Sequence, residues 1–253
     1  MSAAEPDPTD DHIFAAVIAE GAGRLLRELR AKDSGADPTA LRAAGDEKAQ
    51  AFIAARLALA LPADSVLSEE AADDPSRLSA RRLWIIDPLY GTREYGEPGR
   101  TDWAVHVALW QDGALVAGAV ALPALELVLG TAGGPALPPA ADPPRLVVSR
   151  TRAPALVTGV ADRLGALTVA MGSAGAKAMA VVRGEAEAYL HAGGMYEWDS
   201  AAPVAVAAAA GLHTSRIDGT ALSYNNASPY LPDLLICRPE LAAILLDAIA
   251  GLR

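Results

Sequence analysis

Four short stretches place carboxylates where backbone oxygens are also within reach. Glu69-Glu70 follows a short apolar run, and Leu83-Trp84-Ile85-Ile86 leads straight into Asp87-Pro88-Leu89-Tyr90-Gly91-Thr92. Far downstream Glu197-Trp198-Asp199-Ser200 opens an alanine-rich segment, and Asp46 sits in Gly45-Asp46-Glu47-Lys48. An acidic residue at a strand end, followed by a Pro- and Gly-containing turn, aims a carboxylate, a carbonyl and an N–H toward one point. Hard divalent cations want that oxygen-rich set, and Mg²⁺ takes one or two carboxylates together with waters and substrate phosphate oxygens. Each stretch also has a plainer reading. Glu69-Glu70 suits a solvated loop and Asp87 a turn, while Asp46 and Asp199 suit helix N-caps that satisfy free N–H groups.

Other chemistry finds less support. His12, His106, His191 and His213 fall in separate elements without paired spacing, which argues against zinc hydrolysis. His106 alternates with Val105 and Val107 and reads as a sheet residue rather than a base. Neither a Gly-x-Ser-x-Gly elbow nor a P-loop is present. Gly172-Ser173-Ala174-Gly175 is either a phosphate cradle or a plain helix start, and Lys177 either contacts phosphate or ribose or is solvated. Cys237 is the single cysteine, which excludes an internal disulfide framework; within Leu234-Leu235-Ile236-Cys237 it reads as a buried, inert thiol.

The chain that must position these groups has 253 residues, 52% of them hydrophobic, 21% charged and 5% aromatic. That composition supports a core of Ala, Val, Leu and Ile and excludes general disorder. The net charge of −10 argues against nucleic-acid polymers and anionic membranes as partners. It leaves room for a small phosphorylated substrate, because a metal supplies positive charge locally. Residues Met1 to Asp11 are acidic, with no basic or apolar leader region, and their opening part is expected to be disordered. Gly113–Leu125 and Ala201–Leu212 are interrupted by Gly or Pro and fall short of the ~20 residues a membrane helix needs. A soluble, cytoplasmic protein is expected.

Periodicity gives the elements. Ile13, Phe14, Val17, Ile18, Gly21, Leu25, Leu26 and Leu29 recur at helical spacing, with Asp10 and Asp11 available to cap. A second helix is expected from about Asp46 to Leu61, turning Phe52, Ile53 and Leu57 inward. Strands are expected at Ser65–Leu67, Leu83–Ile86 and Trp103–Trp110, the last with Trp103, Val105, Val107 and Leu109 on one face. Asp112-Gly113 reads as a hairpin turn into Ala114–Leu122, followed by a strand at Leu125–Leu129. Eight of the fifteen residues from Gly130 to Pro144 are Gly or Pro, which predicts a boundary between subdomains 1–129 and 145–253. Beyond it, strands at Leu146–Val148, Leu167–Ala170, Glu187–Leu190 and Leu234–Ile236 alternate with helices. Those helices are expected near Pro154–Leu164 and Ala174–Val182, from about Asp199, and over Pro239–Leu252. The alternation predicts an α/β chain with layered sheets.

Leu83-Trp84-Ile85-Ile86-Asp87-Pro88-Leu89-x-Gly91-Thr92, preceded by Glu69-Glu70 and followed by Trp198-Asp199-Ser200-Ala201-Ala202, resembles the inositol monophosphatase superfamily. That superfamily is Mg²⁺-dependent and lithium-sensitive. The resemblance covers nearly the whole chain, from the first helix to the Pro239 region. Thr92-Arg93-Glu94-Tyr95 is similar to CysQ-type 3′(2′),5′-bisphosphate nucleotidases, whereas members acting on inositol phosphates usually carry Thr-Asn-Phe there. Gly172-Ser173 with Lys177, and Tyr230-Leu231-Pro232-Asp233-Leu234, also look like the actinobacterial CysQ type. The resemblance implies the sugar-phosphatase fold, with α-β-α-β-α layers. It also implies removal of the 3′-phosphate from adenosine 3′,5′-bisphosphate, with 3′-phosphoadenylyl sulfate as a related substrate, in sulfate assimilation. Hydrolysis of inositol or fructose phosphates and a catalytically weak ligand-binding homologue are the competing readings.

Residue by residue, the resemblance implies that Glu69, Asp87 and the carbonyl of Leu89 hold a first Mg²⁺. Asp87 would bridge to a second ion that Asp199 also binds, in a set of two or three ions. Gly91 and Thr92 would receive phosphate on backbone N–H groups. Asp46 and Thr92, with Glu69 beside them, would position and deprotonate the attacking water. Arg93, Ser173, Lys177 and Asp199 complete the implied substrate contacts, and a homodimer is the implied assembly. One position departs from the family pattern Asp-Pro-Leu-Asp-Gly-Thr: Tyr90 stands where the second aspartate would bind the second metal. By position Tyr90 belongs with the metal ligands, but a phenol of pKa about 10 is neutral at pH 7. The departure is compatible with a weakened enzyme, with a second ion held by Asp87, Asp199 and water, or with a non-catalytic binder.

Overall fold

The Asp10 carboxylate accepts from the N–H groups of His12 and Ile13 and so caps the first helix, α1 (Asp11–Lys32). Phe14, Ile18, Leu26 and Leu29 turn inward. Ile13 and Val17 do not, at 46% and 38% exposed, because a helix on one sheet face buries only a stripe. The computed structural model describes residues 10–32, 37–133, 137–151 and 153–253; the stretch expected to be disordered, 1–9, lies outside them. Helix α2 (Pro38–Ala60) starts well before the expected Asp46. The cause is local: Asp37 accepts from Ala40 N–H at 3.3 Å, and Pro38 occupies the first turn, where its missing N–H costs nothing. Asp46 is therefore an interior helical residue and not a cap.

Strands β1 (Ser65–Ser68), β2 (Arg82–Tyr90), β3 (Ala104–Gln111), β4 (Ala114–Leu122) and β5 (Leu127–Gly130) form the first sheet in that order. A short helix, α3 (Thr92–Gly96), follows β2. Only β1 and β2 run parallel; the remaining pairs are antiparallel. Asp112 and Gly113 make the expected hairpin turn at φ +49° and +100°. β5 starts later than expected, because Pro123–Leu125 forms a 3-10 turn and Glu126 takes a left-handed conformation.

The second half contains β6 (Arg145–Ser149), α4 (Ala155–Leu164), β7 (Leu167–Met171), α5 (Ala174–Val182), β8 (Ala188–Tyr196), α6 (Glu197–Ala209), β9 (His213–Ser215), β10 (Tyr230–Cys237) and α7 (Ala242–Ala250). Its sheet order is β7-β6-β8-β10-β9. β8 and β10 run well past the expected Leu190 and begin before the expected Leu234, pairing with each other from Tyr196↔Tyr230 to Ala188↔Cys237. The last helix starts at Ala242 and not Pro239, because Pro239–Leu241 is a 3-10 turn.

Three buried clusters define five layers. The α1 and α2 side chains Ile18, Leu26 and Ile53 pack on Trp84, Ile86, Val105 and Val107 of the first sheet. The opposite face of that sheet, through Leu83, Ile85 and Ala108, meets α5 and α6, which also cover Tyr189, Leu234 and Ile236 of the second sheet. The outer face of the second sheet, with Leu146, Leu190 and Cys237, is closed by Val157, Val160, Leu245 and Ile249 of α4 and α7. The layers run α-β-α-β-α. Cys237 is buried there, and burial pushes its thiol up to about 12, so it is inert.

Candidate active site

β2 is buried on both faces up to Asp87, which is fully buried at the strand's end. Its pairing with β3 stays in register through Asp87↔His106 and then shifts before Tyr90↔Ala104. That irregularity re-aims the turn. The Leu89 N–H donates to Asp87 Oδ1 at 3.1 Å, and the Thr92 hydroxyl donates to the Leu89 carbonyl at 3.1 Å. Gly91 sits at φ +84°, where a Cβ would come within 2.9 Å of Ser173 Cβ, so the turn accepts only glycine without strain.

Negative charge accumulates around this turn. Burial first, then Glu69, Asp199 and Asp46, pushes the Asp87 carboxyl well above the usual carboxylate range. Burial, Glu70 and Glu69 raise Asp46 to about 7. Burial and Glu69 raise Asp199 to about 7 against an opposing hydrogen bond from Tyr196 N–H at 2.7 Å. Glu69 is raised by desolvation and by Glu70. Among the described residues no three His, Cys, Asp or Glu side chains form a ready-made metal cage. The fit to a cation rests instead on the donor set. Four carboxylates destabilise one another's charge, and Asp87 Oδ2 is a buried acceptor with no hydrogen-bond partner among the described residues. Such a set suits a hard divalent cation.

Asp199 is the third residue of α6 and not its N-cap; it reaches back to the Tyr196 N–H. Sequence reasoning missed what holds this helix start. Buried Glu197 accepts from the N–H groups of Asn225 and Asn226 and from Asn226 Nδ2, and Arg77 ties the same loop through Asn225 Oδ1 and the Asn226 carbonyl. His106 Nδ1 lies 3.2 Å from the Trp198 carbonyl. Burial lowers His106 to about 4, so the ring is neutral and its Nδ1–H donates. The imidazole positions the Trp198-Asp199 segment.

Tyr90 offers the turn no anion. Its ring stacks on His106, and burial, then Asp199, Tyr189 and Asp87, pushes the phenol further above its usual range. Thr92 and Asp46 share no hydrogen bond among the described contacts; the Thr92 hydroxyl is engaged by Leu89. Ser173 caps α5 by accepting from Ala176 N–H at 3.0 Å. Lys177, only 7% exposed, donates to the Gly172 carbonyl at 2.6 Å, and burial lowers it to about 8. Arg93 is exposed and pairs with Glu97 at 3.0 Å. Two cavities open beside the turn and share Tyr90, Ser149 and Lys177. One of about 350 Å³ includes Gly91, Thr92, Arg93 and Arg150, and one of about 540 Å³ includes Pro154, Tyr189 and His191.

The layered fold agrees with what known proteins show. The inositol monophosphatase family matches residues 10–249, and the chain belongs to that family, whose members are metal-dependent phosphatases. Relatives at least 33% identical to it include named nucleotide phosphatases. The sequence is 50% identical to the 3′-phosphoadenosine 5′-phosphate phosphatase of Mycobacterium bovis, over 99% of this chain and 98% of that one. It is 33% identical to the 3′(2′),5′-bisphosphate nucleotidase CysQ of Escherichia coli, over 74% of this chain and 81% of that one. The crystal structure of CysQ from Bacteroides thetaiotaomicron superposes with a TM-score of 0.78 at 26% identity, covering 88% of this chain and 96% of that one. No described helix is long and apolar enough to cross a membrane.

Proposed function

We propose that the chain is a Mg²⁺-dependent phosphomonoesterase that removes the 3′-phosphate from adenosine 3′,5′-bisphosphate. The observation that carries this reading is a carboxylate cluster and a cavity that meet at one turn. Glu69 and Asp199 act on the charge of Asp87, and Tyr90–Thr92, which follow it, line a cavity with Arg93, Glu94, Arg150 and Lys177. A substrate phosphate received at the turn would reach both. The full-length similarity to relatives named for that substrate supports the same choice.

Glu69, Asp87 and the Leu89 carbonyl would hold a first ion, and Asp87 and Asp199 a second. Mg²⁺, when bound, lowers the pKa of a water and offsets charge on the phosphoryl group. The Gly91–Thr92 turn orients the scissile phosphate on backbone N–H groups. Asp46 and Thr92 hold the attacking water, with Asp46 taking its proton. Tyr90 withdraws one anionic ligand from a second ion, so the enzyme is slowed rather than silenced. Lithium inhibition, a cytoplasmic location, a homodimer, and a metal-binding half (1–129) joined to a specificity half (145–253) complete the proposal.

Phosphate release from adenosine 3′,5′-bisphosphate, inositol 1-phosphate and fructose 1,6-bisphosphate, with and without Mg²⁺, tests it. The bisphosphate nucleotide should react fastest and only with Mg²⁺. Faster hydrolysis of either sugar phosphate would overturn the reading.

A further inference from the structure

We propose that Arg77 is a positioning residue for the metal site. By bridging Asp73 to Asn225 and Asn226, which hold Glu197, it fixes the spacing of Glu69 and Asp199 and so sets how tightly the enzyme holds Mg²⁺. The proposal rests on the metal assignment above and goes beyond it, because Arg77 lies outside the donor set.

The two carboxylates come from opposite halves of the chain. Glu69 follows β1, and its N–H donates to the Ile86 carbonyl of β2 at 3.3 Å. Asp199 stands in the first turn of α6. Arg77 sits in a 3-10 turn, Pro75–Ser79, and is 1% exposed. A buried guanidinium is tolerated only where its donors are met. Here they are met from two directions. Nε and Nη2 donate as a fork to Asp73 at 2.6 and 2.9 Å, four residues beyond Glu69. Nη1 donates to Asn225 Oδ1 at 2.9 Å, and Nη2 to the Asn226 carbonyl at 3.0 Å. Asn225 Nδ2 donates back to the Arg77 carbonyl at 3.1 Å.

The second link runs from the asparagines into α6. Glu197 is fully buried and stands two residues before Asp199 in the same helical turn. Its carboxylate accepts from the Asn225 N–H at 2.8 Å, the Asn226 N–H at 2.9 Å and Asn226 Nδ2 at 2.8 Å. Asn225 takes a left-handed conformation, φ +62°, that asparagine tolerates, and both N–H groups face the one carboxylate. The Glu197 N–H is in turn held by the Pro229 carbonyl at 2.8 Å. Asp73 and Glu197 both favour the charge on Arg77, so its removal withdraws the cation from two buried links at once. Ligands spaced before the ion arrives bind it better than ligands that must be ordered on binding, and groups that orient ligands are worth roughly 10–100-fold in metal affinity. No motif marks this network, because its members stand at 73–77, 197 and 225–226.

The test combines calorimetry of Mg²⁺ alone binding to the full chain with Mg²⁺ titrations of the rate on adenosine 3′,5′-bisphosphate. In R77M the dissociation constant for Mg²⁺ and the Mg²⁺ concentration giving half the maximal rate should both rise about tenfold. KM for the nucleotide at saturating Mg²⁺ should stay unchanged. E197Q should act alike, because an amide of the same size meets three N–H donors with one acceptor oxygen in place of two. R77K restores the charge but not the fork that spans Asp73 and the asparagines, so it should not restore the affinity. N226A, at an exposed position, removes one of the three donors to Glu197. Its smaller shift in the same direction keeps the test in force should R77M not fold. Variants that melt earlier without Mg²⁺ yet bind Mg²⁺ as the parent does would overturn the proposal and leave Arg77 as a staple of the fold. A parent that hydrolyses inositol 1-phosphate fastest, with the Mg²⁺ shifts in its variants intact, would overturn the nucleotidase reading and support this one.

Discussion

The Tyr90 ring lies nearly parallel to the His106 imidazole, with centroids 5.2 Å apart and planes inclined by 15°. The stack puts an apolar surface where a family member carries an aspartate, next to Asp87, whose charge is opposed by burial and by its acidic neighbours. His106 in turn holds the Trp198 carbonyl at 3.2 Å. Tyr90 therefore packs against the residue that positions Asp199 while contributing no charge to the ion that Asp199 would bind.

Tyr90→Asp should trade stability for turnover. Loss of the stack and addition of a carboxylate near Asp87 and Asp199 lower the melting temperature without Mg²⁺. The new carboxylate would help hold a second Mg²⁺, which would offset charge developing on the leaving oxygen. The expected gain in kcat is ~10²-fold, equivalent to about 2.7 kcal/mol. Parallel Mg²⁺ titrations of rate and of melting temperature check it. Identical curves for the two proteins would show that residue 90 is remote from any metal.

Asp87→Asn should abolish turnover and stabilise the metal-free fold. Burial and three acidic neighbours oppose the charge on Asp87, and an amide of the same size removes that cost. Metal-free melts should favour the variant by roughly 1 kcal/mol. The parent alone should then gain stability as Mg²⁺ is added, by mass action on the native state. A variant that keeps most of the parent rate would refute the metal assignment.

How far the sequence spoke for itself differs from element to element. α5 lies over the expected Ala174–Val182, because Ser173 is a strong cap and every following position is apolar or small apart from Lys177. α2 starts at Pro38, ahead of the expected Asp46, because the cap signal Asp37-Pro38 stands apart from the apolar stripe that marks the helix. β8 continues past Leu190 through Gly193 and Gly194, both at positive φ, where alternation fails and pairing with β10 decides. At the site, Asp87-Pro88-Leu89-Tyr90-Gly91-Thr92 is legible as a turn because its residues are contiguous, whereas the scattered Asp46, Glu69 and Asp199 are picked out by the family resemblance. Arg150, Glu94 and Asp102 are not, since each acquires its partner from a distant segment. Asp102, for instance, accepts from the Gly172 N–H.

Thr92→Ala and Asp46→Asn should each slow turnover by roughly 10²–10³-fold, as expected for a lost proton acceptor or its orienting partner. Asp46 sits in α2 and Thr92 follows the β2 turn, so a shared water is the only link between them that the mechanism requires. The double variant should then be little slower than either single one, because the pair acts as a unit. Multiplicative losses, measured as kcat at saturating Mg²⁺, would show that the two residues act separately.

The last prediction concerns pH and lies away from the metal. Asp233 on β10 accepts from Arg216 Nε at 2.7 Å, Arg216 Nη2 at 2.8 Å and the Ile217 N–H at 2.9 Å. Burial alone would raise its carboxyl, but the Arg216 and Ile217 hydrogen bonds outweigh burial and hold it below the usual carboxylate range. The folded pKa is thus depressed below the unfolded value of about 3.9. A carboxylate of that kind adds stability that is fully present above the unfolded pKa and lost as pH falls through the folded one. Asp233→Asn keeps the volume and removes the charge, leaving Arg216 without its anion. It should cost about 2 kcal/mol near neutral pH, the scale of hydrogen bonds to a charged group. Urea unfolding of both proteins across the acid range measures the gap between them. The gap should stay constant from neutral pH down to about 5 and shrink once the pH passes below about 3.9. Because each pH compares parent with variant, the protonation of all other carboxylates cancels. A gap that widens on acidification would mean that Asp233 is protonated in the folded protein, and that Arg216 does not hold its charge.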